Sequence, residues 1–93
     1  MVLDISTAEV QAGKEDAFAA AFKEAFGKLG KVKGLGRWQL LRCVEKPSRF
    51  MVWAEWDRIE DHQALAKTPG YAALLGAVGP MLAAAPEILH YKE

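Results

Sequence analysis

Apolar and polar residues change their period several times along the chain. From Val2 to Val10 they alternate in a β-branched stretch, which predicts a strand. From about Lys14 to Leu29 the period lengthens. Phe18, Phe22, Phe26 and Leu29 recur at helical spacing with Ala21 and Ala25 beside them, one apolar stripe along a helix. Gly13 can serve as its N-cap, Glu15 and Asp16 suit the positive end of its dipole, and Gly30 and Gly34 end it. A second strand is predicted over Leu35–Glu45, a proline turn over Lys46–Arg49, and a third strand over Phe50–Asp57. The pattern is helical again from Arg58 to Lys67, until Thr68-Pro69-Gly70 breaks it. A further helix carries Leu74, Leu75, Val78 and Leu82 before Pro86, and Glu87–Lys92 makes a last short strand. The order β-α-β-β-α-β predicts an α+β ferredoxin-like sandwich: one domain over residues 1–93, with a four-stranded antiparallel sheet and its helices on one face.

The turn sets an expected register. A four-residue turn over Lys46–Arg49 pairs Glu45 with Phe50, which puts Cys43 against Val52, Leu41 against Ala54 and Gln39 against Trp56. That face is small and apolar at its centre, as packing under helices requires. The opposite face then collects Trp38, Leu40, Arg42, Met51, Trp53, Glu55 and Asp57. Alternation on the first strand is expected to turn Leu3 and Ile5 to the helices and Asp4 and Ser6 to this second face. So much apolar surface does not stay in water. The expectation is a homodimer, sheet against sheet, closing an α+β barrel. Its lumen, lined by Trp38, Leu40, Met51, Trp53, Asp4 and Ser6, would form a small-molecule pocket.

Composition narrows the partners. Of 93 residues 52% are apolar, more than a chain of this size can use in its own core, and this agrees with burial against a second copy. Twelve basic residues balance twelve acidic ones, so neither nucleic acid nor an anionic membrane is expected as partner. Lys28, Lys31, Lys33 and Arg37 read as a solvated helix end and loop. Cys43 is the sole cysteine, so an internal disulfide is excluded and a reducing, cytoplasmic location is expected. Met1–Val10 has no basic start followed by an apolar run, so it does not read as a signal peptide. The uncharged stretch Tyr71–Pro86 falls short of the roughly 20 residues a membrane span needs, and it reads as a core helix.

Set in this order, several short stretches give the chain a family likeness. They are Gly13-Lys14-Glu15, Gly34-Leu35, Arg49-Phe50, Glu55-Trp56, Asp61-His62, Thr68-Pro69-Gly70-Tyr71, Pro86 and His90-Tyr91. With them the chain resembles the antibiotic biosynthesis monooxygenase family of dimeric α+β barrels. The resemblance implies oxidation of a small aromatic, polyketide-like substrate by molecular oxygen, without metal, flavin or other cofactor. In that scheme a deprotonated substrate itself reduces oxygen. The protein supplies a dry aromatic slot, a proton acceptor and a donor to the developing anion. Trp38 and Trp53 would be walls, Glu55 the base and Arg42 the anion stabiliser. Two departures stand out. The polyketide oxygenases carry an Asn four residues before a pocket Trp, where this chain has Val52 (before Trp56) or Arg49 (before Trp53). The haem-degrading branch uses a Trp and an axial His where this chain has Leu65 and Leu75, so haem degradation is not expected.

Each candidate also has a plainer reading. Glu55 can be an ion-pair partner of Arg42, and Arg42 can lie over Trp53 as a cation–π pair. Trp56 reads as core. His62, early in the second helical region, can cap it, sit on the surface or shuttle a proton. His62 and His90 lack metal-type spacing, so no metal site is expected. Gly34-Leu35-Gly36 lacks the third glycine and the preceding strand of a dinucleotide loop. An RNA-recognition domain shares the element order, yet it requires aromatics on one basic face. The alternative that survives is a non-catalytic dimer binding a small aromatic, or an isomerase on the same barrel.

Overall fold

The computed structural model describes residues 1–93, with the expected element order. Strand β1 (Val2–Glu9) leads to helix α1 (Glu15–Gly27), then strands β2 (Leu35–Arg42) and β3 (Arg49–Trp56). Helices α2 (Ile59–Leu65) and α3 (Pro69–Val78), a 3₁₀ turn (Gly79–Met81) and strand β4 (Glu87–Tyr91) complete it. The sheet is antiparallel in the order β2-β3-β1-β4, the ferredoxin-like arrangement. Thr68-Pro69-Gly70 ends one helical stretch and also starts the next. The Thr68 hydroxyl accepts the Tyr71 N–H at 3.2 Å, and Pro69 occupies the first turn, where its missing N–H costs nothing.

The α1 stripe behaves as its spacing predicts. Phe18, Phe22 and Phe26 are buried, and they meet Val10, Phe50, Leu74 and Val78 in the main core. A smaller cluster of Ala54, Trp56 and Leu65 packs beneath α2.

The β2–β3 register departs from expectation. The turn does form over Lys46–Arg49, closed by the Arg49 N–H to the Lys46 carbonyl at 2.9 Å. The connection is longer than that turn, however: the Cys43 N–H bonds the Arg49 carbonyl at 2.8 Å, and Val44 to Ser48 lie between the paired residues. Leu40 therefore lies opposite Val52 rather than Glu55, a slip of three residues. An odd slip sends Trp38 and Leu40 to the helix side and Gln39 and Leu41 to the open side. Burial accounts for it. Phe50, Val52, Ala54 and Trp56 form the helix-facing side of β3, and Val52, Ala54 and Trp56 now have Leu40, Trp38 and Leu35 opposite them instead of Cys43, Leu41 and Gln39. Trp38 then packs 4.3 Å from the Phe26 ring. A second irregularity between Leu35 and Trp38 lets both face the helices.

β1 also differs from expectation. Asp4, Ser6 and Ala8 pair with Ala54, Val52 and Phe50 and so face the helices, whereas Leu3, Ile5 and Thr7 lie on the open face. Two rows cross the helix side of the sheet: Leu40–Val52–Ser6–Ile88 and Trp38–Ala54–Asp4–His90. The open side carries Leu41–Met51–Thr7–Glu87 and Gln39–Trp53–Ile5–Leu89. No helix is long and apolar enough to cross a membrane.

Candidate functional site

Between the helices and the sheet lies an apolar cavity of about 90 Å³. Phe22, Val52, Leu74 and Val78 are among its walls, and Asp4, Ser6, His62 and Tyr71 bring polar atoms to it. Leu75 and Ile88 line the same space and are 45% and 42% exposed, so the cavity opens between α3 and β4.

Asp4 is only 3% exposed, and an unpaired carboxylate buried this far would cost several kcal/mol. The Ser6 hydroxyl is its side-chain hydrogen-bond donor, 2.8 Å from Oδ1, and His62 is the nearest ionisable group, with Nε2 3.4 Å from Oδ2. On the other side of its ring, His62 Nδ1 is 2.7 Å from His90 Nε2. Sheet and helix place the three groups together. Asp4 and His90 are cross-strand neighbours, and α2 sets His62 above them with its ring stacked on Trp56 at 4.8 Å. Gly34 helps to seat α2. Its φ is +79°, and a Cβ there would lie 2.2 Å from Oδ2 of the buried Asp61, in the turn just before His62.

The surroundings shift two of these groups. Burial pushes the His62 pKa below the ordinary histidine value and His90 adds to this, against the opposing pull of Asp4. His62 is thus neutral at neutral pH. Burial and the Asp4 charge both raise the Tyr71 hydroxyl, which stays protonated. Trp56 is 1% exposed and lines the cavity, and its indole Nε1–H is a buried donor with no partner. Orphaned donors of this kind are rare and costly.

Asp4, His62 and His90 are residue types found at metal centres, and one ligand atom from each fits within a 4.8 Å group. The His62 ring lies between the other two groups, however. His62 offers one nitrogen to Asp4 and the other to His90. A bound ion needs donors converging on one point about 2.0–2.2 Å from each.

Of the residues expected to form a site, the structure brings Asp4, Ser6, Leu40 and His62 together at this cavity. Trp38 packs into the core against Phe22 and Phe26. Arg42 turns outward, donating to the Pro47 carbonyl and pairing with Asp16 at 3.0 Å, and it lies over Phe50 rather than Trp53. Met51, Trp53 and Glu55 sit on the open face. There Arg37, not Arg42, stacks over Trp53 and holds Glu55 at 3.2 Å. That hydrogen bond keeps the Glu55 pKa below the usual carboxylate value, the wrong direction for a base that works near neutrality. Sequence reasoning missed His90, Tyr71 and the cavity-facing side of Trp56. The alternation of β4 read together with that of β1 would have placed His90 beside Asp4.

The fold is a ferredoxin-like α+β sandwich with a buried acid–imidazole pair beside a cavity under its helices. The chain belongs to the antibiotic biosynthesis monooxygenase family, whose model matches residues 1–77. It is 29% identical over 62 residues to the uncharacterized protein YczJ of Bacillus subtilis. That match covers 67% of this chain and 65% of the Bacillus protein, just under two thirds of its length. Its fold is similar to that of a Bordetella bronchiseptica protein proposed to be an antibiotic biosynthesis monooxygenase, at TM-score 0.91 and 22% identity, covering 99% of this chain and 95% of that one. A conserved protein of Methanosarcina mazei Go1 is similar at TM-score 0.88 and 15% identity, covering 99% and 91%.

Proposed function

We propose that the cavity under the helices hosts the oxygen-dependent, cofactor-free oxidation of a small aromatic, polyketide-like carbon acid. One observation carries this reading. Trp56, whose N–H is a buried donor without a partner, is among the residues lining an apolar cavity whose only ionisable groups are Asp4, His62 and Tyr71. A ligand carbonyl or phenol oxygen would satisfy the donor. The same hydrogen bond would strengthen as negative charge develops on that oxygen.

In this reading the Asp4 carboxylate takes a proton from substrate carbon, and the neutral His62 beside it receives that proton. The enolate transfers an electron to oxygen and the resulting pair combines at carbon. The peroxide then takes up protons and loses water. A CH₂ group and O₂ thus become C=O and H₂O, with both carbon-bound protons ending in the water. Glu55 and Arg42 have no part in this scheme.

The volume limits the substrate. About 90 Å³ is less than the roughly 150 Å³ cavity that holds benzene, so one ring fits only with some yielding of the walls and the remainder extends past Leu75 and Ile88. We place a second copy of the chain on the open face, where Leu3, Ile5, Leu41, Met51, Trp53 and Leu89 form an apolar surface. The test is an oxygen electrode with anthrone and 1,4-dihydroxynaphthalene as probes. Uptake should be lost in Asp4→Asn and weakened in Trp56→Phe. Full turnover in both variants would overturn the assignment, and conversion that persists without oxygen would point to an isomerase.

A further inference from the structure

We infer that Ser6, Asp4, His62 and His90 form a proton relay that connects the enclosed cavity with bulk water, and that His90 is its outer terminus. This rests on the reading that Asp4 works as the cavity's base. The geometry is directional. Asp4 and His62 line the cavity, whereas His90 lines a separate surface depression with Arg58, Glu60 and Tyr91. The contacts between these two spaces run in series: Ser6 hydroxyl to Asp4 Oδ1, Asp4 Oδ2 to His62 Nε2, His62 Nδ1 to His90 Nε2.

An enclosed base needs such a connection. A proton taken from carbon in an apolar cavity has no water to accept it, and it must be held away from the enolate until oxygen has added and then returned to the peroxide. In the resting state His62 carries its proton on Nδ1, donated to His90, and turns the bare Nε2 toward Asp4. A proton arriving at Asp4 passes to Nε2, the Nδ1 proton passes to His90 Nε2, and His90 releases its Nδ1 proton to solvent. Each bond broken is matched by one formed on the next atom, and the return flow supplies the peroxide. Ser6 fixes the carboxylate so that Oδ2 faces His62. His90 is not among the residues that line the cavity and reaches it only through His62, so it is a positioning and relay residue rather than a catalytic one.

The test reads protons directly. Nitrogen-15 spectra of the wild-type protein should show neutral His62 as the Nδ1–H tautomer. The exchange of that N–H with water should slow about tenfold or more in His90→Gln, whose amide oxygen can still accept the hydrogen bond but cannot pass a proton on. The Nε2–H tautomer for His62 would overturn the relay, and that measurement needs no variant. Unchanged exchange in a folded His90→Gln would do the same. So would tight one-to-one Co(II) binding lost in Asp4→Asn, because the three groups would then converge on an ion. None of these readouts depends on turnover. An intact relay without oxygen uptake refutes the oxygenase reading alone, and oxygen uptake without the relay signals refutes the relay alone.

Discussion

Trp56→Phe separates the two roles assigned to the indole. The ring is 1% exposed, packs with Ala54 and Leu65, and stacks on His62. Replacing it with phenyl removes about 40 Å³, a cavity term of about 1 kcal/mol at roughly 24 cal/mol per Å³. The lost apolar burial adds about 1 kcal/mol more. Against this, the variant abolishes a buried donor with no partner, whose burial costs about 1–3 kcal/mol. The net change should lie within about 1 kcal/mol of zero, whereas Trp56→Ala should lose about 3–5 kcal/mol. Urea unfolding followed by far-UV circular dichroism measures both without relying on tryptophan fluorescence. Ligand binding should respond in the opposite way. A hydrogen bond to a charged ligand oxygen is worth about 1.5–3 kcal/mol, so affinity for a phenolate or enolate analogue should fall about 10- to 150-fold by calorimetry. If Trp56→Phe loses more than about 3 kcal/mol of stability and leaves affinity unchanged, the N–H has a partner inside the protein and the reasoning fails.

Three further outcomes are expected. The folded state holds the His62 pKa below its unfolded value, so the unfolded chain binds more protons in that interval; stability should therefore be full above about pH 6.5 and fall on acidification through the lower folded pKa. Urea midpoints between pH 7 and 5 measure this, and His62→Gln should flatten the slope; an unchanged slope would remove His62 as its source. Ile5→Asp, at the centre of the open face, should give a folded monomer by sedimentation if a second copy covers that face, whereas Leu40→Asp, under the helices, should unfold the chain. Glu55→Gln weakens a pair with the exposed Arg37 on the open face and should leave oxygen uptake unchanged; loss of uptake would return the site to that face.

Element order and the α1 stripe were legible because Phe18, Phe22 and Phe26 keep one period without interruption, and Gly34, Pro47 and Pro69 fall where the chain changes direction. Facing was not. The register was argued from a four-residue turn, and the pairing stops earlier, at Cys43 and Arg49, which leaves Val44 and Glu45 outside the ladder. Apolar matching held the better signal. The row Phe50, Val52, Ala54, Trp56 calls for Trp38 and Leu40 as neighbours, and only the slipped register supplies them. Leu3 and Ile5 misled for a related reason. They look like core residues, but a sheet whose open face is also apolar gives hydrophobicity no power to choose between its sides. The buried Asp4 was hidden because its partners are distant in sequence: His62 comes from α2 and His90 from β4.

The claim that the functional cavity lies under the helices is tested most directly by a crystal structure with an aromatic hydroxyketone bound. The account predicts its oxygen within about 3 Å of Trp56 Nε1 and its ring among Phe22, Val52 and Leu74. A ligand found instead on the open face, stacked on Trp53 beside Arg37 and Glu55 with the Trp56 N–H still unpaired, would contradict it.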